Sequence, residues 1–177
     1  VVIFDISPLP SAPVFLISIS LGGTTNSLYS TGNTLYAASG DVGVQIVNVT
    51  NPSTPSIISS FNTPGIASDI VVITNYAYVA DSYNGLLIYN VTAPSSPVLL
   101  SRYPPFQQAM GITINNNSLY IADNGYGVES VNISTPSNPA QTGYIKTNSS
   151  ALNIFYFGGY LYLAAAEGGM AIFQPSN

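Results

Sequence analysis

The chain has 177 residues, with no cysteine, no histidine, seven acidic and two basic residues, and a formal net charge of −5 at pH 7. Two cations cannot form the basic surface that nucleic acids need, and the missing residue types exclude disulfides, thiolate chemistry and histidine bases. Apolar residues make up 46% of the chain, enough for one domain with a sizeable core.

The sparse charge also bears on location. A surface with so few charges must be hydrated by hydroxyl and amide side chains, which is typical of an extracellular, glycosylated protein or of one in an acidic medium. The longest apolar run, 160–166, is far too short for a transmembrane helix. No signal peptide is visible, and a start at Val1 indicates a processed or excerpted chain.

The first element predicted along the chain is a strand at Val1 to Asp5, which runs into DISPLPSAP at 5–13. Similar segments follow later strands: NVTNPSTP at 48–55, NVTAPSSP at 90–97 and NISTPSNP at 132–139. Proline fixes φ and has no amide donor. Each segment is therefore predicted to be a stiff link that starts the next unit and stays outside any sheet ladder.

Everything after this first strand repeats with a period of 42 residues. The residues that keep the step are Tyr36, Tyr78, Tyr120 and Tyr162; Ala38, Ala80, Ala122 and Ala164; Gly43, Gly85, Gly127 and Gly169; and Pro10, Pro52, Pro94 and Pro136. A unit of this length cannot bury its own apolar faces, so the period predicts units that pack on one another.

Each unit is predicted to hold four short strands, which in the second unit are Ser56–Phe61, Ser68–Ile73, Tyr76–Ala80 and Leu86–Val91. The middle pair is joined by tight turns at Gly32-Asn33, Thr74-Asn75, Asn116-Asn117 and Gly158-Gly159. The repeated glycine at 43, 85, 127 and 169 opens the fourth strand. In the third unit, Glu129 and Ser130 interrupt that strand and are expected to weaken it.

Apolar residues lie on both faces of these strands, as in GLLIYNV and SLYIAD, so both faces of each sheet are expected to be covered. Four-stranded sheets packed around an axis meet this requirement. We therefore predict an all-β fold, a β-propeller-like array of four four-stranded blades in one repeat domain, 1–177. The blades are predicted at about 13–50, 55–92, 97–134 and 139–174, with a surplus strand at 1–7.

The surplus strand leaves three arrangements open. The chain is part of a longer propeller, or it is a four-bladed ring with a redundant strand, or the extra strand pairs with a neighbouring molecule and builds a filament by strand addition.

The run YAYVADSYNGLLIYNVTAPSSPVLL at 76–100 resembles the LVIVD repeat, and the resemblance extends over the whole chain. It implies a β-propeller, mostly of secreted or surface-exposed proteins, with no shared catalytic motif. The departures are Asn48, Asn90 and Asn132, where the family usually has the aspartate that the first copy keeps as Asp5.

Five asparagines stand in N-glycosylation sequons: Asn48, Asn90, Asn116, Asn132 and Asn148. The competing interpretation is that the three spaced by 42 residues simply cap local turns. Asn148, in KTNSSA, is the strongest glycosylation candidate, while Asn116 lies in a tight hairpin.

The acidic residues form no recognisable catalytic or metal motif. Asp81 and Asp123 resemble members of calcium loops but lack the closing glutamate, so turns are the better interpretation. A glycosidase needs a carboxylate pair, and Asp69 is the one acid expected at a central mouth. We predict no catalytic residues, no metal and no cofactor.

The tyrosines at 36, 78, 120 and 162 are predicted to pack between blades, while Tyr83, Tyr103 and Tyr126 are candidates for stacking on sugars. The sequence as a whole predicts a non-catalytic, extracellular structural or adhesive protein, a glycosylated cell-surface or filament subunit that associates with itself or with other surface proteins. The alternative is a glycan- or protein-binding module of a larger surface protein, and a propeller hydrolase comes third.

Overall fold

The structure, a computed structural model, describes residues 1–7, 12–104, 107–125 and 127–175. Within these ranges all regular structure is β, in seventeen strands, which confirms the predicted fold class. Two residues singled out in the sequence, Pro10 and Tyr126, lie outside the described residues.

Three sheets have four strands each, in simple antiparallel order. Blade 1 contains β3 (Ser27–Thr31), β4 (Thr34–Ala38), β5 (Val44–Asn48) and β6 (Ser56–Phe61). Blade 2 contains β7 (Asp69–Ile73), β8 (Tyr76–Ala80), β9 (Leu86–Asn90) and β10 (Val98–Tyr103). Blade 3 contains β11 (Ala109–Asn115), β12 (Ser118–Asp123), β13 (Gly127–Asn132) and β14 (Ala140–Lys146).

Two smaller sheets complete the described chain. Blade 4 contains β15 (Ala151–Phe157), β16 (Tyr160–Ala165) and β17 (Gly169–Phe173). The N-terminal hairpin contains β1 (Val2–Asp5) and β2 (Val14–Ser18). The four blades are arranged as a four-bladed β-propeller, which confirms the predicted architecture.

The strand pairing corrects the predicted blade boundaries of about 13–50, 55–92, 97–134 and 139–174. The strand that was expected to open each unit pairs instead with the strand before it, as β6 does with β5 and β10 with β9. The proline-rich segments at 48–55, 90–97 and 132–139 therefore lie inside blades and link the third strand to the outermost one. The reason is backbone hydrogen bonding, because the outermost strand pairs its N–H and C=O groups with those along the free edge of the third strand.

Each blade packs one face against the next blade. This tyrosine face, which carries Tyr36 in blade 1 and Tyr78 in blade 2, meets the opposite face of the following blade in a shared apolar cluster. Tyr36, Tyr78 and Tyr120 are buried, as predicted, whereas Tyr162 in blade 4 is only partly buried. Leu86, Leu87 and Ile88 are fully buried although they alternate in direction, so both faces of blade 2 are covered.

The predicted turns are present, and the first residue of each has a positive φ: Gly32, Thr74, Asn116 and Gly158. Gly43 has φ of 77°, and a Cβ there would meet the Phe61 carbonyl oxygen and lie 2.8 Å from the Asn62 Cα. Glycine is therefore required at this position by both backbone conformation and space.

The loops divide between two ends of the propeller. The tight turns and the proline-rich segments lie together, joined by hydrogen bonds such as Val49 N to Asn33 O at 2.8 Å; we call this end the connector face. The loops between the second and third strands meet those that enter the next blade, as in the bridge between Ser82 and Ala109; we call this end the mouth face.

Candidate functional site

The innermost strands β3, β7, β11 and β15 surround a central cavity of about 390 Å³. Its mouth, about 440 Å³, opens on the mouth face, where Asp69 and the apolar Ile66, Met110 and Leu152 stand among six hydroxyl and amide side chains. These are Asn26, Ser27, Ser68, Ser82, Gln108 and Asn153. The mouth therefore combines polar and apolar side chains around a single carboxyl group.

Asp69 lies at this mouth, where the sequence placed it. Its carboxylate accepts hydrogen bonds from the backbone amides of Ile70 and Ile112, both at 2.8 Å, so it ties blade 2 to blade 3. Burial raises the pKa of Asp69, opposed by hydrogen bonds from Ser27 and the two amides. Among the described lining residues it is the one acid, and a single carboxylate cannot provide the pair that glycoside hydrolysis requires.

The other polar groups of the mouth also bind one another. Asn26 donates from Nδ2 to the Ala67 carbonyl at 2.9 Å, and Gln108 donates from Nε2 to Ser82 Oγ at 2.9 Å. These bonds link neighbouring blades, so the lining is rigid rather than adaptable. Tyr83 follows Ser82 in the sequence and is 71% exposed, but it is not one of the residues that line the mouth.

Asp81 and Asp123 are structural, as predicted for these turns. Asp81 Oδ2 accepts from the Gly65 amide at 2.9 Å, and Asp123 accepts from the amides of Gln107 and Gln108 at 2.9 and 2.6 Å. Each side chain thus holds the loop that enters its own blade. Burial raises the pKa of Asp81, while Thr63, Gly65 and Arg102 lower it.

The repeat pattern does not single out Gly65. A Cβ at this position would lie 2.8 Å from the Asp81 carbonyl oxygen, so only glycine lets the loop reach the carboxylate. The Pro64-Gly65 dipeptide, a strong turn signal, is the local clue to this role.

The three sequons that keep the repeat spacing all cap turns. Oδ1 of Asn48, Asn90 and Asn132 accepts the amide two residues later, at 2.8 to 2.9 Å. Because these residues end the third strands, they lie on the connector face, and so does Asn116 in its hairpin turn. Asn148 is exposed in a loop of the mouth face. Turn capping uses Oδ1, whereas a glycan is attached at Nδ2. Glycosylation of these residues therefore stays a prediction.

Glu129 does not interrupt its strand, contrary to expectation, because β13 runs over six residues without a break. The side chain is fully buried, and Glu129 Oε2 accepts a hydrogen bond from Tyr103 Oη at 2.8 Å. Burial and this bond raise the pKa of Tyr103. Tyr103 thus joins blade 2 to blade 3 and is not an open stacking surface. The pair is 26 residues apart, and no local pattern reports it.

Exposed apolar side chains lie on both of the smaller sheets. On blade 4 the tyrosine face exposes Phe155, Phe157, Tyr160, Met170 and Ile172 by 43 to 68%. On the N-terminal hairpin, Val2, Phe4, Val14 and Phe15 are each at least half exposed. In blades 1 to 3 the same face is covered by the following blade. Contiguous apolar surface of this kind marks an interaction site.

Among the described residues no helix is long and apolar enough to cross a membrane. A sequence model of the LVIVD repeat matches residues 22–63, 64–104 and 107–147. A search of curated proteins found no match.

Two crystal structures of designed proteins are similar in fold. The computationally designed Ika4 protein superposes with a TM-score of 0.71 at 9% identity, over 91% of this chain and 98% of that one. The computationally designed Ika8 protein superposes with a TM-score of 0.68 at 8% identity, over 92% of this chain and 50% of that one. At these identities the likeness concerns the fold alone.

Proposed function

The chain belongs to the LVIVD repeat family, and from that premise we propose that it is a non-catalytic structural component of an extracellular surface, a subunit that assembles with copies of itself. The observation that carries the proposal is the exposed apolar surface of blade 4 and of the N-terminal hairpin. Blades 1 to 3 bury their tyrosine faces, and the blade 4 face offers the same chemistry to a partner.

The composition supports an extracellular location. Only 5% of the residues are charged, and the polar surface consists of hydroxyl and amide groups. Attached glycans would add hydration that such a surface does not obtain from charges. Four of the five sequon asparagines share the connector face, so glycans there would leave the mouth face and the apolar edges accessible.

Glycosylation is tested on native material by glycopeptide mass spectrometry. We expect glycan on Asn148, which is exposed in a loop, and on at least one of Asn48, Asn90 and Asn132. Unmodified peptides for all five sequon asparagines would remove the glycoprotein part of the proposal, while leaving assembly to be judged separately.

Assembly is tested by light scattering and electron microscopy of the 177-residue chain over a range of concentrations. We expect regular polymers whose size grows with concentration. Met170→Glu places a charge on the exposed tyrosine face and should abolish them, whereas Val98→Glu, at an exposed apolar residue of blade 2, should not. A particle of single-chain mass at every concentration would contradict the proposal.

A second candidate function is ligand binding at the mouth, favoured by its mixed polar and apolar lining and by the exposed Tyr83, which follows the lining residue Ser82 in the sequence. Sugars combine hydroxyl groups with apolar faces that stack on aromatic rings. A glycan array should then give signals that Tyr83→Ala removes and that Tyr160→Ala, a change on blade 4, leaves intact. A flat array would argue against this function.

A further inference from the structure

Two strands of this chain occupy the same position in the repeat. β1 and β17 both correspond to the third strand of a blade, the strand that pairs with an outermost strand. Their sequences align without a gap: VVIFD at 1–5 aligns with MAIFQ at 170–174, and the identical positions are Ile3 with Ile172 and Phe4 with Phe173. Either strand therefore has the side chains to lie beside an outermost strand.

Both β1 and β17 could pair with an outermost strand, but among the described residues only one such strand, β2, is available to them. β2 is an outermost strand by its position in the repeat, and it pairs with β1. β17 pairs with β16 on one side, and no described strand lies along its other edge. A strand edge left open in this way is a template for pairing with another chain.

We propose that β17 of one copy takes the place of β1 beside β2 of a second copy, so that blade 4 gains its fourth strand from a neighbour. This inference rests on the proposed function and names its mechanism. Two strands alone are marginal in water, whereas β2 would become the edge of a four-stranded sheet. β1 forms four residue pairs with β2, and two backbone hydrogen bonds of 2.9 Å between Val1 and Ile19 extend this ladder.

The exchange would also reproduce an interface that the chain already uses. Val1 and Ile19 of the N-terminal hairpin region pack on Ala37 and Val47 of blade 1. In the exchanged sheet Met170 would take the place of Val1. The tyrosine face of blade 4 would then meet blade 1 of the second copy as blades 1 to 3 meet their successors, and its exposed aromatic side chains would be buried.

The repeat fixes the register of the new pair. Gln45 faces Ser60 in blade 1 and Glu129 faces Tyr144 in blade 3, so Ala171 should face Ser18 of the second copy. The chain has no cysteine, so a disulfide introduced at these positions reports the pairing without background. Cross-strand neighbours lie within the Cα separation that a disulfide accepts.

The first experiment locks the hairpin. Val2 and Ser18 are register partners within one chain, so oxidised Val2→Cys/Ser18→Cys should hold β1 on β2. We expect the oxidised variant to stay monomeric and to assemble once it is reduced. Assembly of the locked chain would overturn strand replacement but leave the proposed function standing.

The second experiment traps the exchanged pair. Oxidised Ala171→Cys/Ser18→Cys should give a ladder of disulfide-linked multimers on non-reducing gels, and Ala171→Cys/Ser30→Cys, which places the second thiol on β3, should not. An intramolecular disulfide would show that β17 closes on its own β2 and overturn the inference. Polymers without the cross-link would overturn the register, and the absence of both polymers and cross-links would overturn the proposed function as well.

Discussion

Asp69, which is partly buried at the mouth, and Asp81, which is fully buried, are carboxyl groups whose charged forms are disfavoured by burial. Burial raises the pKa of both above the ordinary value of 3.8, although backbone amides bind them. Asp5 differs, because the Ser7 amide binds it at the surface and lowers its pKa. The buried side chains thus favour the protonated form, which matches a protein that relies little on charge.

The first prediction concerns acid. The folded chain holds protons at Asp69 and Asp81 more tightly than the unfolded chain does, so stability increases as pH falls through their raised pKa values and is lost as pH rises again. We expect a higher unfolding temperature near pH 4 than at pH 7 in calorimetry. Asp69→Asn should narrow this difference, and Asp5→Asn should not. A stability maximum at neutral pH would contradict the assignment.

A second prediction separates two reasons for glycine. Gly32 and Gly43 both have a positive φ, but nothing lies within 4 Å of a Cβ at Gly32. Gly32→Ala should cost about 1 kcal/mol of unfolding free energy, from backbone strain alone. Gly43→Ala should cost at least about 2 kcal/mol more, because the Cβ also strikes β6 and the loop after it. Equal losses in denaturant titrations would show that contact at Gly43 is unimportant.

Strands and turns could be predicted because their signals are local. β-branched and aromatic residues mark β6 to β9, and among the described residues the positive-φ turns carry glycine or asparagine except at Thr74 and Ser82. The blade boundaries could not be predicted, because a periodic sequence looks the same whichever residue is taken as the start of its unit. Which strands belong to one blade is determined only by the hydrogen bonds between the strands on either side of each proline-rich segment. At the candidate site, Asp69 was placed correctly by its position at a strand start, whereas the Tyr103–Glu129 contact joins separate blades.

The third prediction uses the repeat to replace that contact. The positions of Tyr103 and Glu129 are held in the preceding interface by Phe61 and Leu87, which lie in one apolar cluster. Tyr103→Phe alone removes a hydrogen bond from a buried carboxyl group and should cost about 1 to 3 kcal/mol. Tyr103→Phe/Glu129→Leu should recover most of this loss, because an apolar pair can substitute for a buried polar one. Denaturant titrations of the two single variants and the double variant measure the three losses of unfolding free energy. A loss in the double variant equal to the sum of the two single losses would contradict the prediction.

The molecule as a whole has two unlike ends along its blade sequence. At one end β17 presents an open edge, and at the other the N-terminal hairpin holds an outermost strand. A contact between unlike ends is heterologous, so it leads to rings when the rotation closes and to open polymers when it does not. The Ika8 superposition over half of that chain shows that blades of this shape also fit a larger protein.

The fourth prediction concerns salt. The proposed contact is apolar, and its exposed members are Phe155, Phe157, Met170 and Ile172, so charge screening has little to weaken. Assembly measured by light scattering should persist from low salt to about 1 M sodium chloride, and sulfate should strengthen it. Polymers that dissolve as sodium chloride is added would point to ionic contacts instead.

The short β1–β2 ladder has a consequence for timing. If β17 of another copy must displace β1, then β1 blocks the assembly site of its own subunit. A subunit cannot join a polymer until its β1 has dissociated from β2. Opening four residue pairs is a local event within one molecule. At high protein concentration, the rate of polymer growth would therefore be limited by dissociation of β1 rather than by collision. A variant that weakens the β1–β2 pairing, such as Ile3→Gly, would raise this limiting rate.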